Sequence, residues 1–193
     1  DESVCGIKAG DQLTLLDLLR GLMMESGNDA AVAIAEYMAG SSEAFAQMMN
    51  QEAQSLMATN TNFVNSNGLH DENHYTTAYD LYLIFNECIQ YEQFIDIIST
   101  NQYTASITGA DGQVRQENWE QTNLYATGSA ALPQNATIVG GKTGTRDKAG
   151  KCLILLETDL TGHPYISIIM GAESKEMLYQ NMTALINVIT ASE

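Results

Sequence analysis

The sequence predicts an α+β protein in which a helical part is followed by antiparallel sheet strands and a C-terminal helix. Two observations predict this class. Apolar residues recur at helical spacing between residues 14 and 99, whereas the final third carries three short apolar segments typical of strands. Helices first and a sheet last are typical of α+β folds. A length of 193 residues suits one domain, so we expect a single domain over 1–193.

The same capping pattern occurs twice and marks two predicted helix starts. Thr14 with Asp17 three residues later resembles a capping box, with Asp in place of the usual Glu, and Thr77 with Asp80 repeats it. Along 42–58, the near-helical spacing of Phe45, Met48, Met49 and Leu56 predicts a stripe of core residues rather than a binding groove. The predicted helices cover about 14–24, 28–39, 42–58, 77–89, 91–99 and 173–190.

Strand signals begin after residue 100. Two short segments flank the turn GADG and predict a hairpin. Three further segments, TIVGGKTGT, CLILLET and YISIIMG, predict the strands of the main sheet, and the last two are separated by the turn DLTGHP. The predicted strands cover 102–107, 113–118, 137–145, 152–158 and 165–171.

The charge of the chain is strongly acidic. There are 24 acidic and 8 basic residues, giving a formal charge of −16, which argues against nucleic acid or an anionic membrane as a partner. Four of the eight basic residues nevertheless lie within ten positions. Such a cluster indicates either a site for an anionic ligand or a solvated turn, and charge alone does not decide between them. The four residues are Lys142, Arg146, Lys148 and Lys151.

Cysteine and histidine patterns do not predict a metal site or a cofactor. There are three cysteines, an odd number, without a C-x-x-C spacing, so neither zinc nor a disulfide framework is indicated. Cys88 and Cys152 lie in apolar contexts and are expected to be buried. His70 and His74 have a spacing that binds zinc on a helix, but their segment is typical of a loop and no third ligand stands out.

Two short polar motifs, SGN at 26–28 and KTG at 142–144, are candidates for a functional site. Ser26 and Asn28 stand at a predicted helix start, where they either cap the helix or reach into a cleft. Lys142 ends an apolar, strand-like segment that contains Gly140 and Gly141, and glycine there lets another backbone come close. A strand edge with a lysine and threonine hydroxyls can pair an extended peptide and hold its carboxylate.

The text around these motifs closely resembles the low-molecular-mass D-alanyl-D-alanine carboxypeptidases, from Ile7 to about Gly171. The similar phrases are IKAGDQLTLLDLLRGLMMESGNDAAVAIAEYMAGS, NTNFVNSNGLHDENHYTTAYDL and VGGKTGTRDKAGKCL. This family and the serine β-lactamases share the ordered motifs S-x-x-K, S-x-N and K-T-G. A Glu-containing loop like the lactamase deacylation signature is not found, which favours the carboxypeptidases. The resemblance implies part of a β-lactamase/DD-peptidase-like domain.

The resemblance also implies roles for particular residues. Ser26 and Asn28 would shuttle protons and hold the substrate amide, and Lys142 would supply positive charge near the proton relay and the terminal carboxylate. The family usually carries one residue and then Thr after K-T-G, whereas Thr145 comes first here and a basic residue follows. The backbone N–H of Thr145 would form half of an oxyanion hole. Implied substrate-binding residues are Thr143, Gly144, Thr145 and Arg146.

The S-x-x-K motif, which holds the family's nucleophile, is not in this chain. None of the five lysines has a serine three positions before it. We therefore expect a catalytic domain without its N-terminal strands and S-x-x-K helix, inactive by itself. Loss of those strands would leave an exposed edge at the K-T-G strand, so we also expect dimerisation or strand exchange.

The expected function of the parent protein is that of a serine D-Ala-D-Ala carboxypeptidase. By resemblance it would trim the terminal D-alanine from peptidoglycan stem peptides, would be acylated by β-lactam antibiotics such as penicillin, and would act outside the cytoplasm, in the bacterial envelope or after secretion. Two alternatives stay open. One is a non-catalytic relative that binds muropeptides or a protein partner, and the other is a β-lactamase-like hydrolase.

Overall fold

A computed structural model describes residues 2–190 and confirms the α+β class. Within these residues five helices come first, the strands follow and a C-terminal helix closes the order, as the sequence predicts. The helices are α1 (Leu15–Met24), α2 (Asn28–Ala39), α3 (Ser42–Ser55), α4 (Ala78–Cys88), α5 (Glu92–Ser99) and α6 (Lys175–Thr190). The strands are β1 (Gln102–Thr108), β2 (Val114–Glu120), β3 (Ala136–Arg146), β4 (Gly150–Asp159) and β5 (Pro164–Ala172).

The main sheet has the order β3-β4-β5 and is antiparallel throughout, while β1 and β2 form a separate antiparallel hairpin. Helix α6 packs on one face of the main sheet, where Leu153 and Leu155 meet Met182. On the other face, Leu156 packs with Phe85 of α4 and with Ile98 of α5. Within residues 2–190, the structure contains no helix that is both long and apolar enough to cross a membrane.

Local signals explain most of the element boundaries. Thr14 and Asp17 form the predicted capping box, and the Thr77 side chain accepts a hydrogen bond from the backbone N–H of Asp80. Helix α3 ends at Ser55, earlier than predicted, because Met57 turns the chain with a φ of 64°. Strand β2 runs two residues beyond its predicted end.

The predicted core role of Met48 is wrong. Met48 is 42% exposed, whereas Ala46 and Ala53 are the buried residues of α3. Helix α3 packs mainly on α2, which buries small residues such as Ala31 and Ala35. Small side chains allow the two helices to approach closely, and the longer methionine side chain is left at the rim of this contact.

All three cysteines are free thiols. Cys5 is buried, but Cys88 and Cys152 are only half-buried, so the expectation that both are buried is wrong. Cys152 lies opposite Gly144 in the β3–β4 register. Because Gly144 has no side chain, nothing at that position covers the thiol.

Strand β3 lies very close to two other backbones at its paired glycines, α5 at Gly140 and β4 at Gly141, and the sequence predicts a close backbone approach there. A Cβ atom on Gly140 would lie 2.0 Å from the carbonyl oxygen of Ile98, and one on Gly141 would lie 1.9 Å from the carbonyl oxygen of Ile154. Gly140 also has a φ of 155°, a conformation that side chains rarely adopt. The contact at Gly140 fixes the distance between the strand that carries Lys142 and α5, whereas the contact at Gly141 lies within the sheet.

Gly140→Ala is expected to lower the free energy of unfolding by about 3 kcal/mol or more, because the new Cβ atom collides with a backbone oxygen. Gly112 provides a matched control, since it has a φ of 78° and a Cβ atom added there would meet nothing within 4 Å. Gly112→Ala should cost only about 1 kcal/mol, from backbone strain alone. Chemical denaturation measures both values, and equal losses would contradict the proposed close approach.

Candidate active site

Ser26 lies in the turn between α1 and α2 with a φ of 54°, in the left-handed region. For residues other than glycine this conformation costs roughly 1–2 kcal/mol, and it recurs at functional sites. A Cβ atom on Gly27 would lie 2.6 Å from the Cys5 sulfur, which explains the glycine of SGN. The N-cap of α2 is Gly27, without a side-chain cap among the described residues, so neither Ser26 nor Asn28 acts as the helix cap.

The contact between Ser26 and Lys142 joins the helical part to the sheet, across 116 positions of the sequence. The Lys142 ammonium donates one hydrogen bond to Ser26 Oγ and another to the carbonyl oxygen of Thr143, at 2.8 Å. Burial of the ammonium, helped by the nearby positive charge of Arg146, lowers the pKa of Lys142 to about 8. Lys142 is therefore still mainly charged at neutral pH, but its charge is poorly stabilised.

Asn28 is placed differently from Ser26. Its side-chain Nδ2 donates to the carbonyl oxygen of Ser3 at 2.8 Å, and its backbone N–H donates to the same oxygen at 2.9 Å. The residue is 5% exposed and does not line the cleft that contains Ser26 and Lys142. Its Oδ1 is buried without a hydrogen-bond partner in residues 2–190, an arrangement that costs about 1–3 kcal/mol.

The predicted substrate-binding residues all line the cleft from β3 and its end. The hydroxyl oxygen of Thr143 lies 2.6 Å from that of Thr122. Gly144 has no side chain to cover the strand, and Thr145 is exposed. Arg146 donates from Nε to the carbonyl oxygen of Gly68 at 3.0 Å, so it connects the strand to the loop that follows α3.

The basic cluster divides between the cleft and the surface. Lys142 and Arg146 line the cleft, whereas Lys148 and Lys151 do not. Lys175, the first residue of α6, contributes a third cation to the cleft, and its ammonium makes no hydrogen bond or ion pair within residues 2–190. None of the described residues that line this cleft is acidic, although the whole chain has a formal charge of −16. The arrangement is suited to an anionic ligand.

The cleft has a volume of about 530 Å³, enough for a small peptide segment. Several of its residues were missed by sequence reasoning. Thr122 and Asn67 lie in irregular segments without a local motif that would have indicated them. Lys175 could have been noticed, because a cation at a helix N-terminus is unfavourable for the helix dipole. The other cleft residues that the sequence analysis did not assign include Ser3, Leu22, Gly68 and Tyr179.

Comparison with known proteins gives consistent matches. A sequence profile of the D-alanyl-D-alanine carboxypeptidase family matches residues 1–174. The carboxypeptidase DacF of Bacillus subtilis is 32% identical over 76% of this chain, and DacC of Escherichia coli is 31% identical over 95%. The matched region corresponds to 35% and 42% of the lengths of these two relatives.

The fold also matches a solved structure. The crystal structure of a Streptomyces DD-transpeptidase superposes with a TM-score of 0.80 and 28% sequence identity, covering 95% of this chain and 72% of the transpeptidase chain. The helices and antiparallel strands of residues 2–190 therefore have the DD-peptidase fold. On the evidence of the family profile and these relatives, the chain belongs to the D-alanyl-D-alanine carboxypeptidase family.

Proposed function

We propose that the protein is a serine-type carboxypeptidase that removes the terminal D-alanine from peptidoglycan stem peptides. The observation that carries this proposal is the contact between Ser26 and Lys142 in a cleft lined by three basic residues and, among the described residues, by no acidic one. A peptide with a free terminal carboxylate is complementary to such a cleft, and the family relationship supports the choice of D-Ala-D-Ala.

The substrate peptide would lie along the outer edge of β3. An extended peptide pairs with an open strand edge through backbone hydrogen bonds, and Gly144 presents no side chain that would obstruct this edge. The terminal carboxylate would bind near Lys142, with the hydroxyl groups of Thr143 and Thr145 as donors and Arg146 at the end of the strand. The backbone N–H of Thr145 would stabilise the oxyanion.

Ser26 and Lys142 would handle the proton that reaches the departing amine. Because Lys142 donates to Ser26 Oγ, the hydroxyl proton of Ser26 is free to point into the cleft. In that orientation it can be passed to the leaving D-alanine, while Ser26 Oγ takes a proton from the Lys142 ammonium and Lys142 receives the proton released by the acylated serine.

The acylated serine and its lysine would come from a segment outside these residues. We propose that 1–193 form one transpeptidase-like catalytic domain that lacks its N-terminal strands and the S-x-x-K helix, and that this chain alone is inactive. The matched relatives are more than twice as long as the region they share with it. The unpartnered Oδ1 of Asn28 offers an acceptor that a donor from the S-x-x-K segment could satisfy.

β-Lactam antibiotics would acylate the same serine, because they present a reactive carbonyl and a carboxylate to the same cleft. The parent protein would act outside the cytoplasm, in the bacterial envelope or after secretion, where its peptidoglycan substrate lies. No cofactor enters this proposal, since acyl transfer to a serine uses only side chains and water.

Lys142→Met is expected to lower kcat/KM for a D-Ala-D-Ala tripeptide by roughly 100-fold in the complete gene product, because the substitution removes a preorganised charge from the cleft. D-alanine release measures the change. Lys148→Met is the matched control: Lys148 is exposed, and its nearest acidic partner lies 3.7 Å away. Surface pairs contribute little, so this variant should stay within about twofold of wild type.

The wild-type result tests the proposed function itself. A protein that releases no D-alanine would contradict it, and one that also fails to be acylated by penicillin would favour a non-catalytic binding relative. Rapid turnover of penicillin in place of a stable acyl-enzyme would favour a β-lactamase-like hydrolase. If kcat/KM falls equally in the Lys142 and Lys148 variants, the role proposed for Lys142 is contradicted.

The pH dependence follows from the lowered pKa of Lys142, which is about 8. Below that pH the ammonium is charged and binds the carboxylate, and above it the charge is lost. We therefore expect kcat/KM to fall as pH rises through about 8. In Lys142→Arg the guanidinium stays charged, so this decline should move to higher pH. An unchanged alkaline limb in the variant would show that another group causes it.

We further propose that the isolated chain associates with a second copy through an open sheet edge. Within residues 2–190, β3 and β5 each have only one neighbouring strand. Unpaired backbone N–H and C=O groups on such edges are available to another chain. Light scattering over a range of concentrations should detect a dimer, and a monomer at every concentration would contradict the proposal.

A further inference from the structure

Thr122, in the segment after β2, is an exposed residue held between two buried polar residues. Gln121 is only 5% exposed and Asn123 only 2% exposed. Buried amides are costly unless they are hydrogen-bonded, so their partners show what holds this segment in place.

Gln121 fixes the segment to the end of α5. Its side-chain Nε2 donates to the carbonyl oxygen of Ile97 at 3.2 Å and to that of Thr100 at 3.1 Å. Both carbonyl groups lie at the C-terminus of α5, where that of Ile97 also accepts the N–H of the C-cap residue Thr100 at 3.3 Å. The same helix end also determines the position of β3, because the Ile98 carbonyl faces Gly140.

Asn123 fixes the other side of Thr122. Its Oδ1 accepts a hydrogen bond from the backbone N–H of Tyr125 at 3.1 Å and one from the hydroxyl of Tyr179, on α6, at 3.4 Å. The backbone at Thr122 is therefore fixed relative to α5 on one side and α6 on the other. Only the side chain between these two anchors is exposed, and it lines the cleft.

The Thr122 hydroxyl oxygen lies 2.6 Å from that of Thr143. In a pair of hydroxyls, one donates and the other accepts, and the accepting group keeps its own proton free. When Thr122 donates, the Thr143 proton can point into the cleft. When Thr143 donates, the free proton belongs to Thr122. Either arrangement presents one O–H donor to a ligand, and it comes from Thr143 when Thr122 donates.

We infer that Thr122 is a positioning residue that, through Thr143, directs a hydroxyl donor at the carboxylate of the ligand. This inference rests on the proposed carboxypeptidase function and deepens it. The ligand class is a peptide with a free C-terminal carboxylate, and a peptide with a C-terminal amide gains less from a donor aimed at negative charge.

The test compares two peptides that end in D-Ala-D-Ala, one as the free acid and one as the C-terminal amide, with the complete gene product. Thr122→Val keeps the shape of the side chain but removes its hydroxyl. We expect KM for the acid to rise about tenfold, with kcat little changed, and KM for the amide to stay within about twofold. Thr122→Ser, which restores a hydroxyl, should recover most of the preference for the acid.

Thr104→Val is the matched control, because the Thr104 hydroxyl makes a similar exposed contact with the side-chain oxygen of Asn118, at 2.7 Å, on the β1–β2 hairpin. It should leave both KM values unchanged. Equal losses of Thr122→Val on acid and amide, or no loss on the acid, would overturn the inference while the carboxypeptidase function stands. A wild-type protein that cleaves neither peptide would overturn both.

Discussion

Lys142 reaches Ser26 only because the strand that carries it passes very close to the end of α5. Gly140 leaves no side chain between the two backbones, and a Cβ atom there would lie 2.0 Å from the carbonyl oxygen of Ile98. The same helix end holds Gln121, and through it Thr122. One close contact between backbones therefore determines where two parts of the cleft, Lys142 and Thr122, lie relative to the turn that contains Ser26.

The electrostatics of the cleft oppose those of the chain as a whole. The net charge is −16, but surface carboxylates more than about 10 Å away are largely screened by salt at 0.1 M. The half-buried Lys142 is screened less, and its charge is disfavoured by burial and by Arg146. An anionic ligand would stabilise that charge and raise the pKa again, so ligand binding and protonation of Lys142 should favour each other.

The features predicted from sequence are those with a local physical cause. Thr14 and Asp17 form a capping box because both partners lie within one helical turn. The glycines before Lys142 indicated a close contact, although not with which backbone. Met48 and Cys152 were misplaced because their exposure depends on the neighbours that face them, a row of alanines in one case and Gly144 in the other.

The sequence indicated only those residues of the candidate site that belong to, or directly follow, its two short motifs. Ser26 and Lys142 come together as their motifs indicate, whereas Asn28 points to Ser3 and leaves its Oδ1 unpartnered among the described residues. Thr122 could not be found from sequence. Its position depends on hydrogen bonds that Gln121 makes to α5 and Asn123 makes to α6, and neither helix is next to this segment in the chain. Such residues become visible only once the elements are packed.

The central claim is that this chain supplies the Ser26–Lys142 pair and the carboxylate site, while the acylated serine lies elsewhere. Mass-spectrometric mapping of the penicillin adduct on the complete gene product tests it most directly. We predict an adduct on the serine of an S-x-x-K sequence outside residues 1–193, with Ser26 unmodified. An adduct on Ser26, or on any other serine of this chain, would contradict the claim.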